Sequence, residues 1–151
     1  MTWQTVSHSP ATTELLGSKL GGRLKGGEVV ELVSDVGGGK TTFVRGMAHG
    51  IGTSDVVASP TFTISREYRA DKFTLYHFDF YRLPEPGIVA AELAEVVHDP
   101  QAVVVVEWGE MVEDVLPAQR LIVTFISPSP SDRELTFTYP QQLTYLIPAG
   151  D

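Results

Sequence analysis

The stretch ELVSDVGGGKTTFVRG, residues 31–46, decides the fold, and it comes close to the phosphate loop of nucleoside triphosphatases. The usual pattern of that loop is G-x-x-x-x-G-K-[ST]. Gly39, Lys40 and Thr41 fill its last three positions, whereas Ser34 stands where the first glycine is expected. The pattern alone is therefore compatible with a working phosphate loop or with a glycine-rich structural turn.

The flanking residues favour the phosphate loop. The apolar run EVVELV, residues 28–33, has strand length, and KTTFVRGMAHGI, residues 40–51, has helical spacing. A strand that leads through glycines into a helix lets successive backbone N–H groups hold phosphate oxygens. In such a loop Lys40 reaches the β- and γ-phosphates and the Thr41 hydroxyl ligates Mg²⁺. The predicted nucleotide contacts are Asp35, Val36, Gly37, Gly38, Gly39, Lys40, Thr41 and Thr42.

Ser34 is the one unusual residue of this loop. If its position required a left-handed backbone, a serine would cost about 1–2 kcal/mol. If it lies at the strand end with ordinary angles, the cost is small. We expect the second case, in which the serine is tolerated.

The remaining segments predict an α/β fold. The stretch SPATTELLGSKLGGRLKGG predicts a helix capped by Ser9 or Thr12 and ended by Gly26-Gly27. Its predicted apolar stripe is Leu15, Leu16, Leu20 and Leu24. Further predicted elements are a hairpin turning at Ala70-Asp71, a helix over 87–97, a buried strand over 102–107 and a closing pair of strands over 120–127 and 133–140.

Together these elements predict a P-loop NTPase-like three-layer sandwich. Its sheet is expected to be mixed and mainly parallel, with antiparallel edge strands. A length of 151 residues fits a single domain over 1–151, and the residues after about 140 are candidates for a loosely ordered tail.

Composition narrows the possible functions. The chain has no cysteine, which excludes disulfides, thiolate zinc sites and cysteine nucleophiles. No apolar run reaches the roughly 18 residues of a membrane span, and no signal region opens the chain, so we expect a cytoplasmic protein without a membrane partner. Residues 1–72 carry a balance of +1 and residues 73–151 a balance of −9. Such an acidic chain is not expected to bind the phosphate backbone of a nucleic acid strongly by itself.

Two carboxylates are candidates for the Mg²⁺ side of the site. Asp79 ends FTLYHFD and Glu107 ends VVVVE, and the carboxyl ends of strands border the ligand crevice of an α/β sheet. A structural role remains open for both, through pairing with Arg82 or Arg45 or through capping of the next helix. His77 shares a face with Asp79, either as a metal ligand or, as we favour, as a packed and hydrogen-bonded histidine.

Four motifs in order resemble one known family. They are S-D-V-G-G-G-K-T-T at 34–42, S-P-T-F at 59–62, Y-H-F-D-F-Y-R-L at 76–83 and V-E-W at 106–108. The chain is similar in these motifs, from about residue 9 to residue 125, to the bacterial TsaE (YjeE) ATPases of tRNA threonylcarbamoyladenosine synthesis. Its departures from the family pattern are Ser34, Gly38 and conservative changes at Val36 and Phe80.

The resemblance implies roles for individual residues. Lys40 and Thr41 would bind the phosphates and Mg²⁺, Asp79 would be the Walker B-like acid, and Glu107 the second acid on the Mg²⁺ side. Lys40, Asp79 and Glu107 are thus the implied catalytic residues. Trp108 resembles the aromatic residue beside the family's active site and joins the nucleotide contacts. The switch-like segment of the family corresponds to Ser59, Pro60, Thr61 and Phe62.

The resemblance also implies an activity. The family's members hydrolyse ATP with Mg²⁺, dock on the TsaD–TsaB transferase complex and support threonylcarbamoyladenosine formation at position 37 of tRNA. Hydrolysis is expected to be slow in the isolated protein and stimulated by the partners. Alternatives are a small P-loop kinase, which the scarcity of arginine after Arg82 disfavours, and a non-hydrolysing nucleotide-binding module, which Ser34 keeps open. A GTPase is disfavoured because its N-K-x-D motif needs an asparagine, and the chain has none.

Overall fold

The computed structural model describes residues 1–34, 39–55, 65–81 and 87–149. A seven-stranded sheet runs through the described residues, with the order β1-β7-β6-β2-β5-β4-β3. Its strands are β1 (Thr2–Ser7), β2 (Val29–Val33), β3 (Ser65–Arg69), β4 (Thr74–Asp79), β5 (Ala102–Glu107), β6 (Leu121–Ile126) and β7 (Arg133–Thr138).

The sheet is mixed, as the sequence predicts. The four central strands β6, β2, β5 and β4 run parallel to one another. Antiparallel pairs lie at both edges, where β3 pairs with β4 and where β7 joins β6 to β1. Strand β1 is an addition to the predicted elements, because its alternation of exposed and half-buried residues is too weak a sequence signal.

Helices cover the two faces of the sheet. Helices α1 (Pro10–Gly21) and α2 (Lys40–Ile51) pack on one face, where their apolar side chains meet Val103 and Val105 of β5. Helix α3 (Gly87–Val96) and a 3₁₀ segment (Gly109–Val112) pack on the other face against Val104 and Val106. Alternate side chains of β5 thus pack into the two cores on opposite faces of the sheet, which explains its continuous run of valines.

Helix α1 differs from its prediction in its end and in its apolar stripe. Ser9 caps it as expected, with its side chain accepting from the backbone N–H of Thr12. The helix ends at Gly21 rather than at Gly26-Gly27, and Gly22 is its C-cap. Leu15 is 54% exposed, because the face that contacts α2 is formed by Leu16, Gly17, Leu20 and Gly21. Leu24 is buried, but beyond the helix.

The segment after residue 140, a candidate for a loosely ordered tail on sequence grounds, packs against the core through Leu146 and Ile147. Gln141–Leu146 forms a second 3₁₀ segment. Leu146 is fully buried, and Ile147 joins the same cluster beneath α1 and α2. In the described ranges, no helix is both long and apolar enough to span a membrane.

Candidate functional site

The candidate residues meet where the central parallel strands end. Strand β2 ends at Val33, and after Ser34 and residues 35–38 the chain enters α2 at Lys40. Strand β5 pairs with β2 on one side and with β4 on the other, and Asp79 lies opposite Glu107 in the register. The adjacent strands β2, β5 and β4 therefore place the start of α2 and the two carboxylates together at the carboxyl end of the parallel strands.

Lys40 is the centre of this arrangement and is only 7% exposed. Its Nζ donates to the carbonyl oxygen of Ser34 at 3.3 Å and lies 3.6 Å from Oε1 of Glu107. The same atom lies 4.6 Å from the ring centroid of Trp108, over the face of the indole. A buried ammonium group needs such compensation, and here a carboxylate, a carbonyl and an aromatic face supply it.

Glu107 is buried and has two cationic or polar neighbours. Its Oε2 is hydrogen-bonded to Nε2 of His77, 2.5 Å away, while its Oε1 faces Lys40. His77 is fully buried, and its Nδ1 has no hydrogen-bond partner among the described residues. The histidine thus packs behind Glu107 and fixes one carboxylate oxygen, in agreement with the favoured interpretation of His77 as a packed, hydrogen-bonded residue.

Asp79 is half-buried at the end of β4. Its Oδ1 accepts a hydrogen bond of 3.0 Å from the backbone N–H of Tyr81. Burial raises the pKa of the Asp79 carboxyl, and the negative charge of Glu107 raises it further, against the lowering effects of the Tyr81 hydrogen bond, His77 and Lys40. On balance, the surroundings of Asp79 in the ligand-free protein disfavour the ionised form of its carboxyl.

Trp108 has an unusual backbone. With φ 58° and ψ 48° it is the one non-glycine residue of the described ranges in the left-handed region. Such a conformation costs on the order of 1–3 kcal/mol and is found where surrounding contacts enforce it. The ring of Tyr81 packs on Trp108, with the two ring centroids 4.9 Å apart. The same indole also contacts Nζ of Lys40.

An arginine holds the segment that follows Trp108. Nε of Arg120 donates to Oε1 of buried Glu31 at 2.9 Å, and its Nη2 donates to Oε1 of Glu113 at 2.7 Å. A Cβ added to Gly109 would lie 2.9 Å from Oε2 of Glu31, so the chain passes this carboxylate too closely for a side chain. Arg120 and Glu31 therefore fix the turn that aims Trp108 at Lys40.

The start of α2 suits a phosphate-binding loop. Gly39 is the N-cap of the helix with φ 96°, a conformation that glycine adopts without strain. Thr41 and Thr42 follow in the first helical turn and are half-buried. Ser34 is described and does not adopt positive φ, so its backbone is not in the left-handed region that would have strained a serine. This agrees with the expectation that Ser34 is tolerated.

Some predicted contacts lie outside the described residues. These are Asp35, Val36, Gly37 and Gly38 of the loop, and Ser59, Pro60, Thr61 and Phe62 of the switch segment. Of the other predicted site residues, the structure brings Lys40, Glu107 and Trp108 into direct contact and places Asp79 next to Glu107.

The donor set fits Mg²⁺ bound together with phosphate oxygens rather than a metal held by protein alone. In the described part of the chain, no group of three or more histidine, aspartate and glutamate side chains could hold a metal ion. Mg²⁺ typically takes one or two carboxylates and completes its shell with water and phosphate oxygens. Asp79, Glu107 and the Thr41 hydroxyl are the residues that would hold it, and a cation would relieve the unfavourable charge on Asp79.

The sequence assigned no role to Tyr81 or to the Arg120–Glu31 pair. Tyr81 falls inside the motif Y-H-F-D-F-Y-R-L, two residues after Asp79, and this position was the available signal. Arg120 and Glu31 lie 89 residues apart, and no local pattern connects them.

These features define the class of the protein. A central parallel sheet in which α2 follows β2 after a glycine-rich stretch of sequence, with acids at the ends of the neighbouring strands, is a P-loop NTPase-like α/β fold. Residues 7–135 match the sequence model of the family described as "Threonylcarbamoyl adenosine biosynthesis protein TsaE". The chain belongs to this TsaE family, as its four motifs predicted.

Individual relatives support the assignment. The tRNA threonylcarbamoyladenosine biosynthesis protein TsaE of Bacillus subtilis is 39% identical over 136 residues, which are 90% of this chain and 84% of that protein. The protein of the same name from Treponema pallidum is 36% identical over 132 residues, covering 87% of this chain and 96% of its own. The crystal structure of B. subtilis YdiB superposes with a TM-score of 0.78 at 34% identity, covering 92% of this chain and 86% of that one.

Proposed function

We propose that this protein is a Mg²⁺-dependent ATPase that supports threonylcarbamoyladenosine formation at position 37 of tRNA in the cytoplasm. It would act on the TsaD–TsaB transferase complex rather than on tRNA directly. The observation that carries the proposal is the burial of Lys40 at the start of α2, 3.6 Å from Glu107 at the end of β5. Membership of the TsaE family and the names of its relatives give the proposal its biological context.

Lys40 and Glu107 would have different roles toward the phosphates of ATP. The Lys40 ammonium can offset the negative charge of the β- and γ-phosphates, for which it exchanges its contact with Glu107 for contacts with phosphate oxygens. Glu107, still held by His77, then has an oxygen free to orient a water molecule or a metal-bound ligand. Bound Mg²⁺ would supply Lewis acidity at the phosphate oxygens. The indole of Trp108, whose ring centroid lies 4.6 Å from Nζ of Lys40, adds a cation–π contact to the ammonium.

Two substitutions separate binding from hydrolysis. Lys40→Ala should weaken Mg-ATP binding more than about tenfold in calorimetry, the scale of one lost charged hydrogen bond. Glu107→Gln should retain binding and lose phosphate release, because the amide keeps the shape but not the charge of the carboxylate. Lys72→Ala, which removes an exposed lysine at the hairpin tip, is the control and should change neither quantity.

The outcome decides between three functions. Unchanged ATP affinity in Lys40→Ala would contradict the phosphate-loop assignment. Binding without phosphate release, both alone and with purified TsaD–TsaB complex, would make the protein a non-hydrolysing module. Fast release by the isolated protein, unaffected by the complex, would favour a free-standing phosphotransferase such as a small kinase.

A further inference from the structure

Strand β1 forms one outer edge of the sheet and, among the described residues, pairs only with β7. Its six residues read TWQTVS and include no charged residue, proline or glycine. The register with β7 runs through all of them without a bulge. An exposed strand edge can pair with another strand, and soluble proteins usually protect such edges with charges, proline or bulges. The edge at β1 has none of these protections.

The opposite edge of the same sheet is protected. Strand β3 reads SREYR, and its Arg66, Glu67 and Arg69 are exposed. A strand that approached β3 would have to desolvate or displace these charges. Of the two edges, the one at β1 is therefore the edge that is open to a further strand.

The hydrogen bonds to β7 fix which backbone groups of β1 point outward. Met1 and Tyr139 exchange both of their backbone hydrogen bonds, at 2.8 and 3.0 Å. Such pairs alternate along an antiparallel ladder, so the odd-numbered residues of β1 bond to β7 and the even-numbered residues do not. The N–H and C=O groups of Thr2, Gln4 and Val6 thus point away from the sheet. All three residues are exposed, and in the part of the chain that the structure describes no other backbone bond uses these groups.

The side chains of β1 leave this edge accessible. Gln4 donates from Nε2 to Oγ1 of Thr136 in β7, at 3.1 Å. Trp3 packs against Phe137 of β7 in a T-shaped contact, with the ring centroids 5.2 Å apart. Both side chains are thus held toward β7 rather than over the outward backbone groups.

The outward backbone groups are arranged symmetrically. Thr2 and Val6 lie two residues on either side of Gln4, so a two-fold axis at Gln4 brings two β1 strands into antiparallel register. Thr2 then pairs with Val6 of a second copy, and Gln4 pairs with Gln4 of that copy. Each of these pairs can exchange two backbone hydrogen bonds. A two-fold contact requires a surface that complements itself, and the edge of β1 meets this requirement.

The distribution of charge favours a second copy at this edge. The chain has a net charge of −8, so two copies repel each other over most of their surfaces. The only acid in β1 or β7 is Glu134, which lies opposite Val6. In the two-fold arrangement the two Glu134 residues are at least three strand spacings apart, roughly 14 Å, which exceeds the Debye length of about 10 Å at 0.1 M salt. Two acidic chains can therefore approach at β1 without opposing charges.

We propose that two copies of this chain associate through an antiparallel β1–β1 ladder centred on Gln4, which joins their two sheets into one. The ladder is six residues long and buries much less than the roughly 1,200–2,000 Å² of a stable interface. The dimer is therefore weak, and its population depends on protein concentration. The inference does not rest on the proposed function, because β7, β6 and β2 separate β1 from the strands that carry the two acids.

Sedimentation velocity over a series of protein concentrations measures this association. The parent should change from monomer to dimer as its concentration rises. Gln4→Pro should weaken the association at least about tenfold, because proline removes the central donor of the ladder. The fold should persist, since that N–H is not used by β7 and proline is tolerated at such edge positions. Gln4→Ala keeps the backbone donor and should associate within about threefold of the parent.

Cysteine cross-linking tests the register and leaves the backbone of β1 intact. The chain has no cysteine, so Gln4→Cys carries a single thiol. A short bismaleimide should join two Gln4→Cys chains, because hydrogen-bonded partners have Cα atoms about 5.5 Å apart. Thr138→Cys is the matched control, at an exposed position of β7. It should not be cross-linked, because two copies of this residue would be at least roughly 14 Å apart.

The possible results decide for or against the β1 contact. Loss of association in folded Gln4→Pro, together with cross-linking of Gln4→Cys alone, would support it. A parent that remains monomeric at every concentration would overturn the proposal and leave the edge to a strand of another protein. Undiminished association of Gln4→Pro, or equal cross-linking of Thr138→Cys and Gln4→Cys, would place the contact elsewhere on the molecule.

Discussion

Asp79 shows how one residue's environment prepares a site for a cation. Burial and the neighbouring Glu107 raise the pKa of its carboxyl, so the folded protein binds the Asp79 proton more tightly than the unfolded chain does. The protonated form stabilises the fold at low pH, and this stabilisation is lost as the pH rises from the ordinary aspartate pKa of about 3.9 through the raised value. At neutral pH the ionised carboxylate therefore destabilises the ligand-free protein.

We expect Asp79→Asn to raise the melting temperature of the ligand-free protein at pH 7. The amide oxygen can still accept the hydrogen bond from the Tyr81 N–H, while the unfavourable charge is gone. The difference from the parent should shrink as the pH is lowered, because the parent carboxyl then takes up a proton and loses its charge. Asp71→Asn, at the exposed hairpin tip, serves as the control. A lower melting temperature for Asp79→Asn at every pH would contradict this account.

At the scale of residues, the sequence predicted the groups that belong to motifs and missed those that act through distant contacts. Lys40, Glu107 and Trp108 meet as expected, because strand ends and the loop–helix junction have local signatures. Arg120 and Arg133 received no site role from the sequence. The residues around these arginines come from distant parts of the chain, and no spacing rule relates them to the candidate phosphate loop.

Among the elements, α1 and α2 are joined through glycines. A Cβ on Gly46 would lie 2.0 Å from the carbonyl oxygen of Glu14, and one on Gly17 would lie 2.2 Å from that of Phe43. Both contacts are with backbone, so only a shift of a whole helix could relieve them. These glycines allow α2, which carries Lys40, to lie directly against α1.

We expect Gly46→Ala to destabilise the protein by at least about 2 kcal/mol, although alanine is the better helix former by about 1 kcal/mol. Chemical denaturation measures the change, and His49→Ala, at an exposed position of the same helix, should have a much smaller effect. ATP affinity should fall as well, because displacement of α2 moves Lys40. Unchanged or increased stability of Gly46→Ala would show that the two helices are farther apart than the structure has them.

The segment after residue 140 is attached by a buried acid. Glu28 accepts hydrogen bonds from the backbone N–H groups of Lys25 and Gly26 at 2.8 and 2.7 Å, and from the Tyr145 hydroxyl at 2.7 Å. Nζ of Lys25 lies 4.2 Å from the centroid of the Tyr145 ring. Burial, together with the hydrogen bond to Glu28, raises the pKa of Tyr145, so the hydroxyl keeps its proton and remains a donor.

Tyr145→Phe should therefore cost about 1–2 kcal/mol of unfolding free energy, since a buried carboxylate loses one of its three donors. Tyr76→Phe, in β4 against the cluster on the α3 face of the sheet, is a comparison that removes a hydroxyl outside this group of contacts. Equal stability of Tyr145→Phe and the parent would mean that the hydroxyl does not hold the segment.

The elements that sequence predicted best are those with strong periodicity. Strand β5 and helix α2 agree with their predicted limits, because four consecutive valines and the loop–helix junction leave few alternatives. The end of α1, the strand β1 and the packing of residues 141–147 were missed or wrong. Each depends on a tertiary partner, namely the surface of α2, the edge of β7 and the buried Glu28.

On the scale of the whole molecule, exposed acids gather on one face of the sheet. Helix α3 and the segment after Trp108 pack on the same face and expose a set of acids, which are Glu92, Glu95, Glu110, Glu113 and Asp114. Exposed Ile88 and Met111 lie on these same two elements. The segment that aims Trp108 at Lys40 thus belongs to the acidic face, so a protein bound there would contact the element that covers the candidate site.

This placement predicts how the proposed partners would act on hydrolysis. If the TsaD–TsaB complex docks on the acidic face, its stimulation of phosphate release should weaken as salt rises, because screening reduces attraction between charged surfaces. The double substitution Glu92→Lys with Glu95→Lys should reduce stimulation at low salt by at least about fivefold while leaving the unstimulated rate unchanged. Asp55→Lys with Asp71→Lys makes the same charge change at exposed residues near the carboxyl ends of α1 and α2, away from that face, and should leave stimulation intact. Equal loss in both double variants would show that net charge alone governs the encounter, and stimulation that is indifferent to both would place the docking surface elsewhere.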